Sequence, residues 1–151
     1  MELFEIDDRG CLFISPAIDD WAGVKERGIG AVIDLEGGLD HGVPTIPDGI
    51  VYVYLPILDE DLPDPGRLQA VARLGASLVA RGERVLSHCG LGYNRSALVA
   101  GRILVELGWS GREAVERLRE RRPGALFNEV FADHLETLPP GGEALPRLNR
   151  G

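Results

Sequence analysis

The chain has 151 residues, of which 44% are hydrophobic and 26% charged, and this composition predicts one soluble globular domain with a buried core. Its net charge of −8 argues against non-specific binding to nucleic acid or anionic membranes, and no apolar run reaches the roughly 18 residues of a membrane span. The N-terminus is acidic where an export signal is basic, and two cysteines are too few for a disulfide scaffold, so we expect a cytoplasmic protein with free thiols.

Charged residues are unevenly distributed along the chain. Residues 1–66 contain 15 acidic and 3 basic side chains, whereas residues 67–151 contain 9 acidic and 13 basic ones. A site that binds an anion is therefore expected in the second half, although solvated surface charge accounts for the same distribution.

Hydrophobic runs and turn residues predict the elements of the first half. Apolar segments 3–6 and 11–15 flank the turn 7–10 and predict a β-hairpin. Asp19 or Asp20 can cap a short helix that ends at Gly28. Residues 31–35 are typical of a strand buried on both faces, and a further strand is predicted over residues 50–57, after a loop rich in glycine and proline.

The second half alternates helices with one strand. Asp64 precedes Pro65 as the cap of a helix that ends at Gly82, a strand follows over residues 84–88, and helices are predicted over 96–107, 110–121 and 128–138. This alternation predicts an α/β fold, a single domain with a mostly parallel central sheet of about five strands and helices on both faces. We assign residues 1–138 to the domain and residues 139–151 to a Pro/Gly-rich C-terminal tail.

Strand 84–88 leads directly into a segment that is suited to bind an anion. Cys89 follows the strand, a helix begins near Arg95 and Ser96, and the loop between them consists of Gly90, Leu91, Gly92, Tyr93 and Asn94. The backbone amides of such a loop can turn inward around a phosphate, and their positive field favours the thiolate form of Cys89. Arg95 can bind two phosphate oxygens with its planar guanidinium.

The pattern His-Cys-x-x-Gly-x-x-Arg-Ser over residues 88–96 resembles the signature of the protein tyrosine phosphatase superfamily, in its small (atypical) dual-specificity branch. Residues 28–35, 55–59 and 122–128 resemble the segment leading into the family's central strand, its acid loop and its late helix junction, so the likeness extends over most of the chain. The resemblance implies that Cys89 is the nucleophile and Arg95 the phosphate ligand, with no metal and no other cofactor.

The resemblance also implies a general acid and two supporting residues. Asp59 lies 30 residues before Cys89 and fits the position of the family's acid; Asp61 is the alternative, whereas Asp64 is better explained as a helix cap. Ser96 corresponds to the hydroxyl residue that hydrogen-bonds the cysteine sulfur. His88 corresponds to a histidine that hydrogen-bonds the loop backbone and favours the thiolate.

The function implied is hydrolysis of phosphate monoesters through a phosphocysteine intermediate. The expected substrates are proteins carrying phosphotyrosine and also phosphoserine or phosphothreonine, and we expect a monomer without nucleic-acid or membrane partners. Asn94-Arg95 also occurs in the related RNA 5′-triphosphatases, which are an alternative. A catalytically inactive relative that binds phosphorylated partners is a second alternative, although such proteins usually lack the cysteine, the arginine or the acid.

The sequence also gives expectations for residues outside the proposed catalytic set. Cys11 begins a strand and Cys89 ends one, so parallel neighbours would keep the two thiols at opposite edges of the sheet, and we expect Cys11 to be a buried structural thiol. Tyr93 is expected to border the pocket. Four polar residues follow the strand 31–35 or end it and either shape recognition or are ordinary exposed loop residues: Asp34, Glu36, Asp40 and His41.

Overall fold

A computed structural model describes residues 2–141, and these form a five-stranded sheet with helices on both faces. The strands are β1 (Phe4–Glu5), β2 (Leu12–Ser15), β3 (Ile29–Asp34), β4 (Val51–Tyr54) and β5 (Arg84–His88). The helices are α1 (Trp21–Glu26), α2 (Pro65–Ala80), α3 (Arg95–Glu106), α4 (Gly111–Arg121) and α5 (Glu129–Glu136). The predicted α/β class and the order of its elements are confirmed.

The sheet has the order β1-β2-β5-β3-β4, and all neighbours are parallel except the β1–β2 hairpin. Side chains alternate between the two faces of each strand, because successive residues of a strand point in opposite directions. Leu12, Ile14, Ala31, Ile33 and Val85 contribute to the larger core, whereas Phe13, Val32 and Leu86 contribute to the smaller one. Helices α2 to α5 cover the first face and α1 covers the second.

The predicted helix caps are found at the predicted residues. Asp20 and Asp64 accept backbone amides at the starts of α1 and α2, and Asn128 does so at α5. Ser110 and Glu113 form the reciprocal capping box at α4. The predicted strand 50–57 is shorter than expected, since β4 ends at Tyr54 and Pro56 has no amide to donate. The amides of Leu55 and Ile57 nevertheless still donate to the carbonyls of Asp34 (2.9 Å) and Leu35 (3.2 Å).

The structure tests the expectations for the two cysteines and for membrane-spanning helices. Ser15 of β2 pairs with His88 of β5, so Cys11 and Cys89 lie at opposite ends of adjacent strands; both are buried and free, as predicted. Across residues 2–141, the helices are each too short or too polar to cross a bilayer. The predicted tail over residues 139–151 lies outside the described residues from position 142 onward, and the division at residue 138 stays a prediction.

A close approach between α4 and α5 makes Gly111 a test of this packing. A Cβ atom at Gly111 would overlap the carbonyl oxygen of Leu135, and the Gly111 amide donates to the carbonyl of Leu138 at 2.9 Å. We expect Gly111→Ala to lower the free energy of unfolding by about 2 kcal/mol or more, because backbone atoms must shift. Gly23→Ala in α1 is the control, since a Cβ there meets no atom within 4 Å; chemical denaturation that shows equal stability for both variants would contradict the packing.

Candidate active site

The sheet register brings the carboxyl ends of four strands to one edge. Ser15, His88 and Asp34 are paired across β2, β5 and β3, and Asp34 is paired with Tyr54 of β4. The segments that follow these residues therefore meet at this edge, as expected for a ligand site in a parallel sheet. Two of these segments are the Cys89 loop (residues 89–95) and the Asp59 loop (residues 56–64).

Four successive carbonyl groups of the Cys89 loop bind donors outside the loop. The carbonyls of Gly90, Leu91, Gly92 and Tyr93 accept hydrogen bonds from the Ala17 amide (3.1 Å), Arg122 Nη2 (3.1 Å), Arg122 Nε (3.3 Å) and the Leu126 amide (2.9 Å), respectively. In a trans peptide the carbonyl and the following amide point in opposite directions. The amides that follow these carbonyls are therefore directed to the concave side, where they can surround a tetrahedral anion.

Arg122 binds two of these four carbonyls, those of Leu91 and Gly92. Its guanidinium lies between two aromatic rings, 3.9 Å from the centroid of Tyr93 and 4.4 Å from that of Phe4. Stacking of this kind orients the planar fork and adds a cation–π attraction. Sequence analysis missed this role, and the only signal was membership of residues 122–128 in a segment of family resemblance.

Cys89 lies at the base of the loop, directly after β5. Its side chain is buried, and Sγ is 3.4 Å from the hydroxyl oxygen of Ser96 in the first turn of α3. The predicted contact between Ser96 and the sulfur is therefore present. A serine hydroxyl at this distance can donate a hydrogen bond to a thiolate and so stabilise the charged form.

Arg95 reaches back over the loop and is fixed by Glu36. The two side chains form a double hydrogen bond, Nη1 to Oε1 at 3.2 Å and Nη2 to Oε2 at 3.1 Å, and Nη1 also donates to the carbonyl of Ile57 at 3.2 Å. Among the described residues, Arg95 Nε is buried without a partner. A buried donor without a partner is costly, so this edge of the guanidinium is suited to accept an anion.

The pairing also affects the ionisation of both groups. Burial alone would raise the pKa of Glu36, but hydrogen bonds from Arg95 and from the amides of Gly37 and Gly90 outweigh it, and the net pKa is lowered. Burial alone would lower the pKa of Arg95, but the bonds to Glu36 and the nearby Cys89 outweigh it, and the net pKa is raised. Both partners are thus held charged. Glu36, for which the sequence left recognition and simple exposure equally open, is a direct partner of Arg95.

Asp59 is exposed, yet both of its carboxylate oxygens are bound. Asn94 Nδ2 donates to Oδ2 at 2.9 Å, and Asn128 Nδ2 donates to Oδ1 at 2.8 Å. The Asp59 loop is thereby joined to the Cys89 loop and to the start of α5. Asp61 is exposed and Asp64 caps α2, as its position before Pro65 predicted.

His88 makes a different contact from the one expected. The predicted hydrogen bond to the loop backbone is not found: Nε2 is 2.7 Å from Asp40 Oδ2 and 3.6 Å from Asp34 Oδ1, and Nδ1 has no partner among residues 2–141. The reason is the register of β3 and β5, which pairs Asp34 with His88 and brings the following acidic loop onto the imidazole. His88 is therefore linked to the 34–40 segment rather than to the Cys89 loop.

The same group contains the residue types that bind metals. Ligand atoms of Asp34, Asp40 and His88 lie within 4.8 Å of one another, whereas the sequence alone suggested no cluster. The two carboxylates have protein partners: the hydroxyl of Tyr52 and the amide of Glu36 (2.9 Å) donate to Asp34, and Asp40 is bound to His88 Nε2. Burial raises the pKa of Asp40, which the contact with His88 opposes, and burial together with Asp34 raises that of Tyr52.

Apolar side chains are exposed around the Cys89 loop. Leu91 is 70% exposed, Leu58 next to Asp59 is 72% exposed, and Phe127 next to Asn128 is 66% exposed. Phe127 also contacts the ring of Tyr93, with 6.0 Å between the centroids. The Tyr93 ring thus lies beside Phe127 and Arg122, and its place at the border of a substrate pocket stays a prediction. The exposed apolar side chains make this surface suited to an apolar or aromatic group.

Comparison with known families accounts for this arrangement. A family model described as "Polymorphic toxin system, DSP-PTPase phosphatase" matches residues 11–109, which is about two thirds of the chain. The chain belongs to this phosphatase family. The DSP-PTPase model covers strands β2 to β5, the Asp59 loop, the Cys89 loop and α3, and the predicted membership of the protein tyrosine phosphatase superfamily is confirmed.

Several solved structures share the fold of this chain. Tk-PTP in its active form is 28% identical, with a TM-score of 0.69 over 89% of this chain and 96% of that chain. Human DUSP28 is 22% identical, with a TM-score of 0.73 over 89% and 90% of the two chains, and DUSP15 is 21% identical, with a TM-score of 0.72 over 98% and 92%. The last two show the fold alone. No curated protein matches the sequence significantly.

Gly92 tests the shape of the Cys89 loop in this DSP-PTPase. Its φ is +75°, and a Cβ atom would lie 2.7 Å from the Pro16 nitrogen and 2.8 Å from the Ser15 carbonyl carbon. We expect Gly92→Ala to weaken binding of inorganic phosphate roughly 10-fold or more, since backbone strain of about 1–3 kcal/mol must be relieved by moving the loop. Calorimetric titration with phosphate measures this, and Gly37→Ala, in open space, is the control. Equal affinities in the two variants would contradict an anion site in the loop.

Proposed function

We propose that this DSP-PTPase hydrolyses phosphate monoesters, with phosphotyrosine and also phosphoserine or phosphothreonine in proteins as substrates, through a phosphocysteine intermediate. The observation that supports this most strongly is the outward binding of four successive loop carbonyls around the buried sulfur of Cys89. Arg95, with its unpartnered Nε, is the phosphate ligand in this proposal, together with the amides of the Cys89 loop.

In the first step the Cys89 thiolate attacks phosphorus. A sulfur–phosphorus bond forms as the bond to the leaving oxygen breaks, and the carboxyl group of Asp59 gives its proton to that oxygen. The loop amides and Arg95 stabilise the charge on the three remaining phosphoryl oxygens. The alcohol or phenol product then leaves.

In the second step water attacks the phosphocysteine. The Asp59 carboxylate, which has lost its proton, accepts one from the attacking water, and the sulfur–phosphorus bond breaks. The hydroxyl of Ser96, 3.4 Å from the sulfur, donates a hydrogen bond to the departing thiolate. Phosphate is released and both catalytic groups return to their starting states.

The surroundings of the site favour monoesters over triphosphate-ended RNA. Acidic residues occupy the two neighbouring loops (Glu36, Asp40, Asp59, Glu60 and Asp61) and would repel a polyanion. Asn94, the residue that resembles the RNA enzymes, donates to Asp59 and so has a role in a mechanism with a general acid. The exposed Leu58, Leu91 and Phe127 suit the body of a phosphotyrosine peptide better than a nucleotide.

Replacement of Cys89 tests the proposed function directly. We expect the wild type to hydrolyse p-nitrophenyl phosphate in the presence of EDTA, and Cys89→Ser to lose this activity, because an alcohol is a far weaker nucleophile than a thiolate. Cys11→Ser is the matched control and should stay active, since Cys11 lies at the other end of the sheet. An inactive wild type that still binds phosphorylated ligands would support the binding protein instead. Faster release of phosphate from triphosphate-ended RNA than from phosphotyrosine peptides would support the RNA enzyme.

The choice between the two candidate acids is tested by amide substitutions. We expect Asp59→Asn to lower kcat by roughly 10²-fold while inhibition by inorganic phosphate is unchanged, the loss typical of a general acid. Asp61→Asn, in the same exposed loop, should stay within about 3-fold of the wild type. Steady-state kinetics with phosphotyrosine decide the matter: a large loss from Asp61→Asn beside a near-normal Asp59→Asn would reverse the assignment.

A further inference from the structure

The Asp59 loop has few packing contacts around Asp59 itself. Residues 58–62 are all exposed, and surface segments with few buried contacts sample several conformations. A general acid must nevertheless lie within hydrogen-bond reach of the leaving oxygen. Some interaction outside the loop is therefore needed to hold the carboxylate over the Cys89 loop.

Two asparagines provide such an interaction from two sides. Asn94, which belongs to the Cys89 loop and is only 3% exposed, donates to Asp59 Oδ2, while Asn128, at the start of α5, donates to Oδ1. Nδ2 of Asn128 also donates to the carbonyl of Glu60 at 3.1 Å. The carboxylate and the backbone of its loop are thus both bound.

The two asparagines are also bound to each other, which fixes their orientation. The backbone amide of Asn128 donates to Asn94 Oδ1 at 3.0 Å, so the Nδ2 of Asn94 must face Asp59. Asn128 Oδ1 accepts the amides of Val130 and Phe131 as the cap of α5, so its Nδ2 must face Asp59 too. In both side-chain amides the oxygen and the nitrogen are therefore hydrogen-bonded, and each amide can have only one orientation.

Neutral amides suit a group that has to change its protonation state. Each carboxyl oxygen has two lone pairs, so it can accept an amide N–H and still carry or receive a proton. A lysine or arginine in the same place would favour the ionised form through its charge. Asparagine holds the position of the acid without adding charge.

We propose that Asn94 and Asn128 are positioning residues that hold the general acid Asp59 over the Cys89 loop. This rests on the proposed function, in which Asp59 protonates the leaving oxygen. It also gives a physical reason for an asparagine directly before Arg95: its side chain spans the gap between the two loops, which a shorter serine side chain cannot do.

The test compares two substrates that differ in their need for a proton. The p-nitrophenolate ion leaves readily without protonation, whereas the more basic phenolate ion does not. We expect Asn94→Ser and Asn128→Ser each to lower kcat about 10-fold or more on phenyl phosphate and only about 3-fold on p-nitrophenyl phosphate. Serine is a good helix cap, so α5 keeps its start in Asn128→Ser. Inhibition by inorganic phosphate should be unchanged in Asn128→Ser, which lies outside the Cys89 loop.

The double variants with Asp59→Asn show whether the asparagines act through the acid. Once the acid is removed, either serine substitution should have no further effect on phenyl phosphate, because residues that act through one group are not additive. Equal losses on the two substrates, or a further loss in the Asp59→Asn background, would show a purely structural role and overturn the inference. Wild-type kinetics in both serine variants would overturn it as well.

Failure of this inference is distinguishable from failure of the proposed function. A wild type without Cys89-dependent hydrolysis contradicts the function itself. A wild type that is active and slowed by Asp59→Asn, but insensitive to the serine substitutions, contradicts only the role of the asparagines. Should Asn94→Ser lose phosphate binding because it lies in the Cys89 loop, Asn128→Ser decides, since it is outside that loop.

Discussion

The site depends on one constraint, which is that the peptide planes of the Cys89 loop are turned with their carbonyls outward. Four carbonyls are bound by three elements outside the loop: the chain after β2, the end of α4 and the turn before α5. Without these partners the four carbonyls would turn to other donors, water included, and the concave side would lose its amides. The shape of the proposed anion site therefore depends on its surroundings as much as on its own residues.

The rest of the site follows from the sheet register. Because β2, β5, β3 and β4 end at one level, the proposed nucleophile Cys89, the arginine's partner Glu36 and the proposed acid Asp59 arrive from different parts of the chain at one edge. The acidic 34–40 segment and the acidic Asp59 loop then lie around Arg95, which is bound to Glu36. The uneven charge along the sequence thus becomes, in three dimensions, an arginine flanked by acidic loops, and the proposed preference for phosphate monoesters over polyanions rests on this arrangement.

Local signals were sufficient for most of the fold. Aspartate, serine and asparagine caps, glycine stops and apolar runs depend on neighbours within a few residues, and the elements they predicted were found. The contacts that complete the site are long-range and were missed or misassigned. Glu36 and Arg95 are 59 residues apart, Asp59 and Asn128 are 69 apart, and His88 and Asp40 are 48 apart. No local pattern indicates which of several acids in a loop will meet a given partner after folding.

The aromatic pair around Arg122 has a consequence for the far end of the chain. Phe4 belongs to the short edge strand β1, yet its ring covers one face of the guanidinium that binds the carbonyls of Leu91 and Gly92. An edge strand of two residues has few bonds of its own. Removal of the amino-terminal residues, or a fusion that displaces this strand, would thus disturb the Cys89 loop through the single stacked arginine.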